Sequence, residues 1–68
     1  MKIRVNGEYQ EIETPLKLAE LLQKLKIADK GIAVEVNHQV VAKEKWAVTD
    51  LHDADSLEIV HFVGGGSF

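Results

Sequence analysis

One stretch of this 68-residue chain has helical periodicity. Leu18, Leu21, Leu22 and Leu25 recur at i, i+3, i+4 and i+7, which places them on one face of an α-helix. The other apolar stretches are short, alternating or rich in β-branched residues, and read as strands. One helix and about five strands must therefore share one core.

The strands can be placed one by one. Ile3 and Val5 alternate with Lys2, Arg4 and Asn6, the pattern of a half-buried strand. Asn6-Gly7 is a strong hairpin signal, because both residues tolerate positive φ. A second strand is expected over residues 8–13, with Ile12 toward the core. Thr14-Pro15 then breaks the strand, and Pro15 suits a first helical position, where its missing N–H would be unpaired anyway. The helix is expected over residues 16–26, with Glu20 and Lys24 as a surface ion pair. Ile27 packs as the chain leaves the helix, and Asp29-Lys30-Gly31 marks the exit. Residues 32–36 form a third strand, Asn37-His38-Gln39 a turn and residues 40–42 a short fourth strand. Residues 43–50 are irregular around Trp46, residues 52–55 are a polar turn, and residues 56–63 are the last strand. The packing that buries one helix with such strands lays it across one face of a mixed sheet. This is an α+β chain of the β-grasp, or ubiquitin-like, arrangement.

Composition narrows what such a body can do. With 46% hydrophobic and 28% charged residues the chain is globular. It has no cysteine, which excludes disulfides and thiolate metal sites. A domain this short is close to the lower limit for one hydrophobic core and has little room for a deep catalytic pocket. That favours a carrier or binding module over an enzyme. The net charge is -3, with Lys24, Lys26 and Lys30 the nearest thing to a basic cluster. Nucleic-acid binding needs a concentrated basic face, so that class is set aside. No apolar run approaches the roughly 20 residues of a membrane span, and the first residues are too polar for a signal peptide. The expected location is the cytoplasm.

The last strand runs into Gly64-Gly65-Gly66 and then Ser67-Phe68. A glycine run is usually a linker or turn; here it is expected to be a flexible tail, residues 64–68, on a globular body of residues 1–63. Glycine lacks Cβ, so such a tail can thread a narrow channel in another protein and adopt unusual dihedrals there.

With these features in place the chain resembles the ThiS-type sulfur carriers of thiamine biosynthesis, relatives of ubiquitin and of the MoaD-type molybdopterin carriers. The resemblance covers the whole chain. It rests on Val5-Asn6-Gly7, Leu18-Ala19-Glu20-Leu21-Leu22, Val34-Glu35-Val36-Asn37, Val41-Ala42-Lys43-Glu44-Lys45-Trp46 and the final strand entering a diglycine. It implies that the chain is not an enzyme. An E1-like, ThiF-type enzyme would adenylate the terminal glycine carboxylate with ATP, and a sulfur donor would convert it to a thiocarboxylate. A ThiG-type thiazole synthase would take the sulfur. Carried onto this chain, Gly65-Gly66 match the diglycine and Gly66 would hold the thiocarboxylate, with Gly64 and Gly65 threading the partner. The chain itself would hold no cofactor and no metal.

Ser67-Phe68 departs from the family pattern, because an amide on Gly66 cannot be adenylated. The resemblance then implies a precursor whose two last residues are removed, the role of a JAMM-type peptidase for some bacterial carriers. Transfer to molybdopterin, siderophore or cysteine pathways, or conjugation of Gly66 to proteins as a ubiquitin-like modifier, are the alternative readings.

Other residues have candidate roles. If Leu57 and Ile59 face the helix, Glu58, Val60 and Phe62 face outward. With Tyr9 and Ala33 on the same side, Val60, Phe62 and Tyr9 would form an exposed docking patch beside the tail. Trp46 reads as a plug at the core edge. His52, Asp53 and Asp55 have metal-ligand chemistry but sit in a turn, where Asp is favoured for backbone reasons. His61 reads as a packed or edge histidine, and Lys43, Glu44 and Lys45 as solvated surface.

Overall fold

The computed structural model describes residues 1–13 and 15–62. In chain order the elements are β1 (Lys2–Val5), β2 (Glu8–Glu11), α1 (Leu18–Lys24), β3 (Ile32–Val36), β4 (Gln39–Val41), a 3₁₀ segment (Lys43–Val48) and β5 (Ser56–His61). The five strands make one mixed sheet in the order β2-β1-β5-β3-β4. The two hairpins, β1–β2 and β3–β4, are antiparallel, and β5 lies between them, parallel to β1 and antiparallel to β3.

Period-two alternation sorts the sheet into two faces. Ile3, Val5, Ile32, Val34, Leu57 and Ile59 are buried against Leu18, Leu21 and Leu22 of α1. Ile12, Trp46 and Leu51 complete this core. The opposite face has no element laid across it among the described residues. Both hairpins turn through residues at positive φ: Asn6 (50°) and Gly7 (85°) in the first, Asn37 (52°) and His38 (71°) in the second. Two consecutive positive φ values match the twist of tight hairpins.

The helix is shorter than its apolar spacing suggests. Residues 16–26 were the expected span, but Lys17 is extended (φ -91°, ψ 157°) and bridges to Asp50 as an isolated β-pair. Pro15 therefore lies outside the helix rather than at its first position. Glu20 reaches back so that its carboxylate accepts the Lys17 N–H at 2.8 Å, half of a capping box; an ammonium group has no acceptor with which to supply the other half. At the other end Lys26 takes φ +58°. The Lys26 N–H donates to the Gln23 carbonyl at 3.0 Å and the Ile27 N–H to the Leu22 carbonyl at 2.9 Å. Those two bonds are a Schellman motif, which ends the helix at Lys24, two residues before the expected end. Ile27 packs against the core at this exit.

Smaller differences follow the hydrogen bonds. β2 ends at Glu11 rather than residue 13, although Ile12 stays buried and its N–H donates to the Met1 carbonyl at 2.7 Å. β4 begins at Gln39, and the irregular stretch around Trp46 is a 3₁₀ segment. β5 ends at His61; the expected end at residue 63, the threonine break at residue 14 and the whole of residues 64–68 lie outside the described residues. No described helix is long and apolar enough to cross a membrane.

Candidate docking face and tail exit

β5 is the element that leads to the glycines, and its position is fixed from both sides. On the β1 side, the Asn6 N–H donates to the Leu57 carbonyl at 2.9 Å. The Asn6 side chain then extends the pairing past the end of β1. Its Nδ2–H donates to the Ile59 carbonyl at 3.1 Å, and its Oδ1 accepts the Ile59 N–H at 2.7 Å. On the β3 side, Asn37 does the equivalent at the start of β5. Its Oδ1 accepts the Ser56 N–H at 3.0 Å, and its Nδ2–H donates to Asp55 Oδ1 at 3.0 Å. Each hairpin thus supplies one turn asparagine at positive φ whose carboxamide anchors β5 or the residue before it. Past the end of β5, the Phe62 N–H donates to the carbonyl of Gly31, the residue before β3, at 2.7 Å, so the pairing continues to the last described residue.

The open face carries the residues expected to dock a partner. Val60 is 52% and Phe62 48% exposed, while Leu57 and Ile59, which precede them on the strand and face the other way, are buried. Tyr9 is 67% exposed and belongs to the same face, but at its other end. It pairs with Arg4, and Arg4 with Ser56, four residues before Val60 on β5; at the usual rise that is roughly 13 Å along the strand. Tyr9 instead lies beneath the Lys2 ammonium, 5.6 Å from its ring centre. Val60 is paired with Ala33, and Val40, 71% exposed, is paired with Glu35. The apolar surface nearest the tail is therefore Val60, Phe62 and Val40. Sequence reasoning turned Glu58 outward but gave no role to it, to Glu35 opposite it or to Val40 opposite Glu35. Alternation alone turns all three outward, but only the β3–β5 and β3–β4 registers bring them together.

Trp46, Asp53 and Asp55 have structural roles. Trp46 is buried, and its Nε1–H donates to the Val41 carbonyl at 2.9 Å, so the indole closes the core edge and satisfies its one donor. Asp55 is nearly enclosed; its Oδ2 accepts the His52 N–H at 2.8 Å and its Oδ1 accepts from Asn37. Asp53 Oδ1 accepts the Lys2 N–H at 2.7 Å. Three of these four carboxylate oxygens accept from turn and strand donors, and no group of three or more metal-ligating side chains is found among the described residues. His61 is exposed beside the tail exit, and Lys43, Glu44 and Lys45 are exposed on the 3₁₀ segment, with Lys43 3.7 Å from Asp29. Gly64, Gly65, Gly66, Ser67 and Phe68 lie outside the described residues.

Known proteins share this arrangement. The family profile described as the ThiS family matches residues 3–66. The sulfur carrier protein ThiS of Bacillus subtilis is 41% identical over 49 residues, covering 72% of this chain and 74% of that one. A thiazole synthase of Paramagnetospirillum magneticum is 39% identical over 67 residues, 98% of this chain but 21% of that protein, so the chain spans about a fifth of its length. The crystal structure of a thiamine biosynthesis protein (ThiS) from Geobacter metallireducens superposes with a TM-score of 0.83 at 35% identity, covering 97% of this chain and 100% of that one. Sheet, helix and sequence agree: this chain belongs to the ThiS family of sulfur carriers in thiamine biosynthesis.

Proposed function

We propose that Gly66 is the working residue and that it carries sulfur as a thiocarboxylate once Ser67-Phe68 has been removed. The observation that carries this reading is the extent of the family match, which runs through Gly66 and leaves Ser67 and Phe68 outside it. A free Gly66 carboxylate attacks the α-phosphorus of ATP in a ThiF-type adenylating enzyme, and pyrophosphate leaves. A sulfur nucleophile then displaces AMP, so that sulfur stands where a carboxyl oxygen stood. Gly64 and Gly65 present no Cβ to the walls of the partner's channel. A peptidase of the JAMM type uncovers Gly66. The carrier binds no cofactor; ATP and the sulfur donor belong to its partners.

The body has the complementary task of presenting this end. The asparagine anchors hold β5 in the sheet, and the exposed surface of Val60 and Phe62 next to the tail offers an area on which a partner can close. Tyr9, at the far end of that face, widens the footprint. The acceptor is a thiazole synthase, a reading supported by the thiazole synthase that contains a segment similar to nearly the whole of this chain.

Reconstitution tests the assignment. Thiazole formation by the synthase and adenylating enzyme of the same genome should require the carrier cut after Gly66. Undiminished product with a carrier ending at Val63 would refute it.

A further inference from the structure

The open face contains a conflict that the fold does not resolve internally. Glu35 on β3 and Glu58 on β5 are registered directly opposite each other. Like charges in that relation destabilise a sheet. Neither carboxylate has an ion pair or side-chain hydrogen bond among the described residues. The cations on this face, Lys2 and Arg4, belong to β1: Arg4, paired with Tyr9 and Ser56, stands one same-face row from Glu58 yet forms no ion pair with it, and Lys2 lies a row farther away, opposite Glu11. The pair is instead bordered by exposed apolar groups: Val40 opposite Glu35, and Val60 two residues beyond Glu58.

We propose that the Glu35–Glu58 pair is a recognition element for a lysine or arginine, set among apolar side chains, on the protein that docks this face. The inference rests on the docking role assigned to the face above and adds the chemistry of its partner. Directly opposed residues have Cβ atoms about 5 Å apart, so both carboxylates can reach one cation, and a guanidinium fork suits two carboxylates. A cation between them turns a repulsion in the free carrier into two attractions in the complex. Val40 and Val60 exclude water from the pair as the partner closes, which strengthens those attractions. An uncompensated local cost of this kind is expected where a surface serves a partner rather than the fold.

The test uses the full-length chain and the adenylating enzyme of the same genome, with two readouts: affinity for that enzyme and the thermal midpoint of the free carrier. Glu58→Lys and Glu35→Gln should weaken association, the lysine variant by about tenfold or more, while the free carrier's midpoint rises. Unchanged affinity in both variants overturns the proposal, as does a midpoint that falls together with affinity, which would make the carboxylates part of the fold. Val60→Asp separates this from the docking role itself. If Val60→Asp weakens binding and the glutamate variants do not, the face docks without the acidic pair. If none of the three changes affinity, docking on this face fails. Sedimentation of the carrier alone covers the remaining occupant: a dimer abolished by Glu58→Lys would assign the pair to a second copy and overturn the proposal.

Discussion

Asn6 and Ile59, 53 residues apart in sequence, exchange two hydrogen bonds between a carboxamide side chain and a strand backbone. The asparagine stands at φ 50° in the first hairpin turn, so its backbone has already left β1 when its side chain takes over the pairing. This one residue ties the turn to the strand that leads to the glycines.

Asn6→Gly keeps the positive φ at little conformational cost and deletes both bonds. It should lower stability by about 1–3 kcal/mol, because partly buried Ile59 groups lose their partners. Asn6→Asp should also destabilise, since a carboxylate can accept from the Ile59 N–H but only repels its carbonyl. Urea midpoints of the two variants check this; unchanged midpoints would mean that backbone pairing alone holds β5.

Lys26 is a lysine where the Schellman motif favours glycine, at φ +58°. Lys26→Gly should therefore stabilise the chain, by up to about 1 kcal/mol, through relief of left-handed strain. A fall in the denaturation midpoint would show that the lysine's favourable position at the helix C-terminus outweighs that strain.

Trp46→Ala should cost about 3–5 kcal/mol, as removal of a buried aromatic does. Trp46→Phe fills most of the space but removes the hydrogen bond to the Val41 carbonyl, and should cost about 1–2 kcal/mol. If Trp46 served a partner instead, the Phe variant would lose binding and keep its thermal midpoint.

Lys17 and Asp50 join the start of α1 to the stretch before β5 by a side-chain hydrogen bond. That bond, and then the lysine's charge, hold the Asp50 carboxyl below its ordinary value of 3.8. A carboxyl whose folded pKa is depressed stabilises above the unfolded value and loses that contribution as pH falls through the folded one. The effect belongs below about pH 4. It is small, because the pair is exposed and screened. Denaturation midpoints of the natural chain and Asp50→Asn should differ slightly near neutral pH and converge in acid; a gap that widens in acid would contradict the assignment.

The elements were legible where local pattern and tertiary demand agreed. Leu18, Leu21 and Leu22 face the core as their spacing requires, and Asn6-Gly7 turns the first hairpin. The helix ends were not legible: Lys17 is kept extended by a partner 33 residues away, and Lys26 terminates the helix without the glycine that usually marks such a stop. Tyr9 was correctly assigned to the open face, yet alternation says nothing about position along a sheet, and strand register separates it from Val60. Glu35 and Glu58 become a pair only through that register. Asp55 looked like one turn residue among several, and its enclosure comes from Asn37, 18 residues earlier.

The central claim concerns one atom on Gly66, and mass spectrometry reads it directly. The chain cut after Gly66, incubated with its adenylating enzyme, ATP and a sulfur donor, should gain about 16 Da as sulfur replaces oxygen. The chain that retains Ser67-Phe68 should gain nothing. No gain in the cut chain, or an equal gain in the uncut one, would contradict the account.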